Sequence, residues 1–179
     1  GHPSKGYFSP YRNPQLKDGP EGEYLTDRLT DEVIRYISEP KEKPFFVYLS
    51  YYTVHLPLQA KAEKIAKYRR KLSRAVPADS SFVKKGETYH KLVQDIPAYA
   101  AMVESLDENI GRLLDTLHRS GLDERTIVVF TSDNGGMATS NTTRNIPTSN
   151  LPLRAGKGYL YEGGIKVPAI IRWSGHLKG

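Results

Sequence analysis

The chain has 179 residues, of which 38% are hydrophobic and 26% are charged, a composition typical of a folded globular unit and not of a disordered segment. Cysteine is absent, which excludes disulfides, thiolate metal sites and cysteine nucleophiles within these residues. Lys and Arg exceed Asp and Glu by 26 to 20, a formal charge of +6 that favours an anionic partner, and no apolar run reaches the roughly 20 residues that cross a bilayer.

Residues 1–22 are predicted to form an irregular leading segment. They are dense in proline and glycine, which disfavours a long regular element and favours a loop packed over other parts of the chain. In residues 23–38 the apolar side chains Leu25, Leu29, Val33 and Ile37 recur at helical spacing, and Pro40 ends the pattern. This second segment is therefore predicted to be an amphipathic helix.

A short apolar run at residues 45–49 follows and predicts a strand covered on both faces, as in a parallel sheet. Residues 60–74 are predicted to be helical, and 75–95 are mixed and polar, which indicates a loop or a short excursion. The Lys and Arg residues of 61–74 are interpreted as a solvated helix face with Ile65, Ala66 and Leu72 turned inward. No aromatic-interleaved basic motif accompanies them, so nucleic acid is not an expected partner.

The strongest helix prediction comes next. Asp95 is a candidate cap, Pro97 suits the first turn, and an apolar stripe from Met102 to Leu117 ends at Gly121. A second buried strand is predicted at 126–131 and a third at 167–173. The order of a strand, helices and a further strand predicts an α/β fold, with a mostly parallel sheet and helices on both faces.

A long polar loop is predicted at 132–164, and such loops are uncommon unless they are functional. It opens on Asp133 and Asn134, directly after a strand, where ligands collect in open α/β sheets. Both side chains are hard oxygen donors suited to Ca²⁺ or Mg²⁺. By composition alone Asp-Asn-Gly-Gly is an ordinary turn, and calcium needs roughly six to eight oxygens, so further ligands would have to come from outside this chain.

Two more residues are candidates for chemistry. His55 follows the first predicted strand and could donate a proton or a hydrogen bond to an anion, although a lone loop histidine also fits a polar surface position. Lys157 stands between two glycines, a point charge on a backbone able to approach a ligand, or else a flexible surface lysine. Its spacing is not that of a phosphate-binding P-loop. The other candidate histidines lack supporting context and are interpreted as surface residues: His90, His118 and His176.

These segments, in this order, resemble the type I sulfatases of the alkaline-phosphatase-like superfamily. The resemblance is carried by 7–11, 23–27, 44–59, 102–111, 128–136 and 153–175. It implies an alkaline-phosphatase-like fold, of which residues 1–179 form a partial domain, the central to C-terminal part of a sulfatase catalytic domain.

The resemblance also implies roles for particular residues. In that family the Ser-Asp-Asn-Gly segment supplies two calcium ligands, here Asp133 and Asn134. The histidine matching His55 contacts the sulfate ester and is a candidate acid for the leaving oxygen. The lysine matching Lys157 grips the sulfate, and Arg154 is assigned a supporting part in substrate binding and in positioning the loop.

One feature of the family is missing from the sequence. Type I sulfatases generate a formylglycine from Cys or Ser in a Cys/Ser-x-Pro-x-Arg motif, and pair it with early aspartates and a further Lys and His. No such motif is present: cysteine is absent, and the stretch at Pro3, Ser4 and Lys5 lacks the arginine. The expectation is therefore a sulfuric ester hydrolase as the parent protein, with this fragment carrying part of the calcium and sulfate site and inactive alone.

Two alternatives stay open at this point. A phosphodiesterase or phosphonate hydrolase of the same superfamily would use similar geometry, and a non-catalytic unit could bind sulfated polysaccharide through Lys157, Arg154 and the basic stretch 61–74. The substrate expected by resemblance is a sulfated small molecule or carbohydrate. The expected location, again by resemblance alone, is periplasmic or secreted, and the sequence leaves the oligomeric state open.

Overall fold

The computed structural model describes residues 6–74, 81–142 and 146–178, so the stretch Pro3 to Lys5 lies outside the described residues. The chain divides into two compact units. The first unit comprises Gly1–Tyr68, Ala98–Thr126 and Trp173–Gly179, and the second comprises Arg69–Pro97 and Ile127–Arg172. Within the described ranges no helix is long and apolar enough to cross a membrane.

Three long helices confirm the three helical predictions: α1 at Leu25–Ser38, α2 at Ala62–Leu72 and α3 at Pro97–Arg119. Pro97 occupies the first position of α3, where its missing N–H costs no helical hydrogen bond. Asp95 lies two residues earlier, and its carboxylate accepts a 2.6 Å hydrogen bond from the Ser81 hydroxyl and pairs with the buried Lys91 ammonium. Asp95 thus fastens the residues before the helix to a neighbouring strand.

The core of the first unit is built around tyrosines from the leading segment. Tyr7 is fully buried, and its ring stacks on that of Tyr24 at 5.7 Å. Around them lie the other members of the buried cluster, namely Tyr11, Leu25, Ala60, Ala101 and Met102. The described part of the leading segment, 6–22, contains no helix or strand of its own. It nevertheless supplies two of the three buried tyrosines of this core, Tyr7 and Tyr11.

Polar side chains between α1 and α3 are satisfied in pairs. The buried Asn109 amide donates to Asp27 Oδ1 at 2.8 Å, and the Thr30 hydroxyl lies 2.7 Å from the Tyr51 hydroxyl. Because a buried polar group without a partner is costly, these bonds fix how the elements meet.

The second unit contains two small antiparallel sheets. Strands β1 (Phe82–Lys85), β2 (Thr88–Lys91) and β4 (Thr139–Ser140) form one sheet in the order β1-β2-β4. Strands β3 (Val128–Thr131) and β5 (Ala169–Arg172) form the other. A single-turn helix, α4 at Glu162–Ile165, lies in the loop before β5. The β1–β2 hairpin lies within residues 75–95, for which a loop or a short excursion was predicted. Residues 75–80 of that stretch lie outside the described part.

The predicted strand at 45–49 is wrong for the structure as described, because no strand is assigned there. Its exposure alternates residue by residue, with Phe46 87% and Tyr48 83% exposed. A strand requires a ladder of backbone hydrogen bonds with a neighbour, and none of the described strands pairs with this segment.

The predicted strands at 126–131 and 167–173 are confirmed as β3 and β5. The first was expected to be buried, which is wrong, since Ile127 and Val129 are 55% and 61% exposed. The expected parallel arrangement is not found either. Val128 lies opposite Arg172 and Thr131 opposite Ala169, which is antiparallel pairing. All strand pairs among the described residues are antiparallel. The connection between β3 and β5 is mainly loop and does not form the helical crossover that a parallel pair needs.

The basic face of α2 is partly neutralised by acidic side chains of the first unit. Lys64 and Lys67 both pair with Glu104 of α3, at 3.2 and 2.8 Å, and Lys61 pairs with Asp27 at 2.6 Å. Ile65 packs against the tyrosine core, as the amphipathic interpretation of this helix expected. These ion pairs remove much of the free positive charge that an anion-binding helix would offer.

Candidate functional site

The loop after β3 and the loop before α4 are joined through their backbones. The Lys157 N–H donates to the Gly136 carbonyl at 3.0 Å, and the Gly135 N–H donates to the Gly164 carbonyl at 2.9 Å. A Cβ built on Gly135 would overlap the Gly163 carbonyl oxygen, and one on Gly156 would overlap that of Gly136. Only glycine permits backbones to approach so closely, so Gly156, before Lys157, and Gly135, after Asn134, are explained by this contact.

A single side-chain amide holds the same two loops together. Asn150 Nδ2 donates to the carbonyl oxygens of Gly136 and Gly163, both at 2.8 Å, with Ala155 O at 3.3 Å. These three carbonyls belong to the loop after β3, to α4 and to the segment before Lys157. Asn150 therefore fixes the spacing between the two candidate segments.

The side chains of Asp133 and Asn134 differ in their contacts. The Asp133 side chain is exposed and has no hydrogen-bond or ion-pair partner in the ranges described. Asn134 Nδ2 donates to the Gly135 carbonyl at 3.1 Å, which turns the amide oxygen away from that bond. Both oxygens are of the type that Ca²⁺ prefers.

The number of donors falls short of a complete calcium site. Among residues 6–74, 81–142 and 146–178 no group of three His, Cys, Asp or Glu side chains could hold a metal ion. Two oxygens from Asp133 and Asn134 match the chemistry of a hard cation but supply only part of the roughly six to eight ligands of calcium. Asp133 and Asn134 therefore fit two of the ligand positions of such a site and leave the others unfilled.

Lys157 and Arg154 stand on the adjoining loop with different surroundings. Lys157 is half-buried, and its ammonium has no ion-pair partner within the described chain. The Arg154 guanidinium lies over the ring of Tyr161, with Cζ 3.6 Å from the centroid, a cation–π contact. The Arg154 carbonyl also accepts the Gly163 N–H at 2.8 Å. The structure thus brings Lys157 and Arg154 onto the loop that adjoins Asp133 and Asn134.

His55 belongs to the first unit, and its backbone is anchored there. The His55 N–H donates to the Tyr52 carbonyl, and the His55 carbonyl accepts the buried Tyr7 hydroxyl, each at 2.8 Å. The exposed imidazole has Nδ1 3.0 Å from the Leu56 carbonyl oxygen. Because a carbonyl only accepts, Nδ1 carries the proton of that bond.

Two residues of the site were not found from the sequence. Asn150 is a loop asparagine outside the stretches that carry the family resemblance, and Tyr161 lies inside one of them, 153–175, but was given no role from the sequence. Their importance comes from contacts to residues several positions away, which only the folded loop defines.

The architecture, with α-helices, small sheets and glycine-tight loops after a strand, places the chain among the alkaline-phosphatase-like α/β proteins, the fold of the sulfatases that it resembles in structure. The chain belongs to the sulfatase family, since the Sulfatase family model matches residues 2–179. The parallel sheet expected with that fold is not seen among the described strands.

Relatives and solved structures agree with this assignment. A sulfatase of Formosa agariphila is 36% identical over 176 residues, which cover 91% of this chain and 27% of that protein. The steryl-sulfatase of Mus musculus is 33% identical over 155 residues, covering 86% and 21%. The crystal structure of Ps i-CgsB in complex with k-i-k-neocarrahexaose matches with a TM-score of 0.65 at 32% identity, covering 90% of this chain and 31% of that one. The chain thus spans about a quarter of the length of the relatives it matches.

Proposed function

We propose that this chain supplies part of the active site of a sulfuric ester hydrolase. The observation that carries the proposal is the 3.0 Å bond from the Lys157 N–H to the Gly136 carbonyl, which ties the lysine-bearing loop to the loop of Asp133 and Asn134. A lysine without an ion-pair partner in the described ranges, on a loop bonded to the loop of two oxygen donors, suits an anionic ester held together with a metal ion. The family membership supports the ester being a sulfate.

Each residue has a part in the proposed reaction. Asp133 and Asn134 would hold Ca²⁺ together with ligands from outside this chain, and the bound cation would supply Lewis-acid polarisation of the sulfate oxygens. Lys157 binds a non-bridging sulfate oxygen and stabilises the charge that develops there. Arg154, held over Tyr161, supports the substrate from the same loop.

His55 is assigned the proton transfer. With Nδ1 engaged by the Leu56 carbonyl, the protonated imidazole gives its Nε2 proton to the departing alcohol oxygen. The formylglycine nucleophile expected by resemblance is not encoded in these residues, so the chain by itself is proposed to be inactive. The substrate class that we propose is a sulfated carbohydrate, supported by the neocarrahexaose complex of a similar structure. A periplasmic or secreted location remains a prediction, which cell fractionation tests.

The test uses the full-length protein and an aryl sulfate. We expect calcium-dependent release of sulfate and a loss of about 10²- to 10³-fold in kcat for Lys157→Ala. Asp133→Asn should need a higher calcium concentration to reach half of its maximal rate. Lys166→Ala, which removes an exposed lysine at the end of α4, is the matched control and should be active. Faster hydrolysis of a phosphate diester than of the sulfate ester would instead support the phosphodiesterase alternative.

No observation favours the non-catalytic glycan-binding alternative over hydrolysis. Its basic surface at 61–74 includes Lys61, Lys64 and Lys67, and all three are paired with carboxylates. Because the charges of these lysines are already neutralised locally, they attract a polyanion weakly.

A further inference from the structure

The β1–β2 hairpin carries an exposed lysine, Lys85, that the proposed reaction does not use. In the register of these antiparallel strands Lys85 lies opposite Thr88, and Val83 lies opposite His90. Opposed residues of an antiparallel pair share a face and side chains alternate along each strand, so Lys85, Thr88 and His90 point to the same side of the sheet. Lys84 lies opposite Tyr89 and belongs to the other face.

This face is joined to the Lys157 loop through one amide oxygen. Asn141 Oδ1 accepts the Thr88 hydroxyl at 2.8 Å and the Tyr159 hydroxyl at 2.9 Å. Tyr159 follows Lys157 by two residues, so the hairpin face and the loop of the candidate sulfate-binding lysine form one continuous surface within the second unit.

The cations of this surface are available to a ligand. Lys85 is exposed and forms no ion pair in the part of the chain that the structure describes, while the nearby Glu87 carboxylate lies 3.7 Å from Lys84 on the opposite face. Arg154 is exposed and is held over an aromatic ring, with no carboxylate pairing it among those residues. A free cation held by an aromatic ring keeps its charge available to an incoming anion.

His90 shows that Lys85 and Arg154 act on one region. Burial lowers the pKa of His90, and the positive charges of Lys85 and Arg154 lower it further. Both cations therefore lie within electrostatic range of the same imidazole.

We propose that Lys85 and Arg154, together with the face of β2, form a second anion subsite that binds a further sulfate group of a carbohydrate whose reacting sulfate is held at Lys157. This inference rests on the proposed function and deepens it, because it makes the preferred substrate a saccharide with at least two sulfate groups. Exposed cation and sulfate contacts are weak one at a time and sensitive to salt, so the subsite adds selectivity more than affinity.

The experiment measures binding to the full-length protein by calorimetry, with a carrageenan hexasaccharide and a monosulfated aryl ester as probes. We expect Lys85→Ala to weaken the hexasaccharide about 2- to 5-fold, and Lys85→Glu to weaken it about tenfold at low salt, with a smaller change for the monosulfated ester. Lys85→Arg should restore binding. Lys84→Ala removes a neighbouring lysine from the opposite face and should bind as the unaltered protein does.

Some results would overturn the subsite. One is an affinity for the hexasaccharide that Lys85→Glu leaves unchanged. Another is an equal loss of affinity for both probes in that variant, and a third is an equal loss of hexasaccharide affinity in Lys84→Ala. Binding is measured without turnover, so the two proposals fail separately. Selective weakening by Lys85→Glu in a protein that hydrolyses no sulfate ester would reject the proposed reaction and keep the subsite.

Discussion

At the scale of single residues, Asn150 contributes more to the candidate site than its loop position suggests. One amide nitrogen contacts three backbone carbonyls, from Gly136, Ala155 and Gly163. A carbonyl that loses its donor inside a close backbone contact has little access to water, so the bonds cannot be replaced cheaply. Asn150 therefore fixes the spacing of the loops that bear Asp133 and Lys157, which is a positioning role.

Replacing Asn150 with Asp tests this role. The change keeps the shape but removes the donor and sets a carboxylate against three carbonyl oxygens, so we expect the free energy of unfolding to fall by about 1–3 kcal/mol. Urea denaturation of the full-length protein measures it. Asn13→Asp is the control, because the Asn13 oxygen only accepts a hydrogen bond, from the Gln15 N–H at 2.9 Å, and an Asp can do the same. An equal loss in both variants would contradict the positioning role.

The Asp95 carboxyl makes the stability of the fold depend on pH. Burial of this carboxyl raises its pKa, but hydrogen bonds from Lys91 and Ser81 and the charge of Lys91 outweigh that effect and lower the pKa overall. A carboxyl whose pKa is lower in the folded state stabilises the fold above its unfolded pKa of about 3.9, and that contribution disappears as the pH falls through the folded value.

Asp95→Asn should accordingly reduce stability at pH 7, where the buried Lys91 loses its counter-ion. The difference from the unaltered protein should narrow as the pH falls below about 4. Thermal melts over a pH series measure both curves. A difference that stays constant from pH 7 to pH 2 would show that the ion pair is not its cause.

At the scale of elements, the candidate site depends on backbones in direct contact. Gly135, Gly156, Gly163 and Gly164 each face a carbonyl oxygen that a Cβ would overlap. The loop after β3 and the segment around α4 therefore pack without side chains between them, and the hydrogen bonds from Gly135 and Lys157 complete the contact.

A pair of Gly→Ala substitutions tests this packing. Gly135→Ala should destabilise the protein by about 3 kcal/mol, the upper end for overpacking, because the new methyl group meets backbone that cannot rotate away. Gly111→Ala, at an exposed position of α3 with open space around it, should instead stabilise the helix by about 0.5–1 kcal/mol. Chemical denaturation measures both, and a harmless Gly135→Ala would show that the two loops can move apart.

At the scale of the whole molecule, apolar side chains are exposed in strand-like rows. Phe46 and Tyr48 are 87% and 83% exposed in the first unit, and Val129, Ile170 and Ile171 are exposed on β3 and β5 in the second. Exposed apolar side chains mark an interaction site or a tendency to aggregate where they form a patch. Since the chain spans 27% of the Formosa agariphila relative, most of a protein of that length lies outside it.

The isolated chain should therefore bind a hydrophobic dye such as ANS, and the double substitution of Phe46 and Tyr48 by Ser should lower the dye fluorescence. Leu177→Ser removes an exposed side chain near the end of the first unit and should change the fluorescence little. Equal dye binding by the double variant and the unaltered chain would show that this segment is not the apolar surface responsible.

The sequence alone determined the helices, β3 and β5. The spacing of apolar residues and the positions of prolines act locally, so they can be interpreted without knowing which segments pack nearby. It also determined the family, through motifs at fixed positions along the chain. The tertiary structure decided that β3 and β5 run antiparallel and that 45–49 has no strand partner among the described residues. It also decided that Asn150 bonds to the loop after β3 and that Tyr161 packs against Arg154. Strand direction and side-chain contacts depend on which distant segments pack together, and a local sequence pattern does not contain that information.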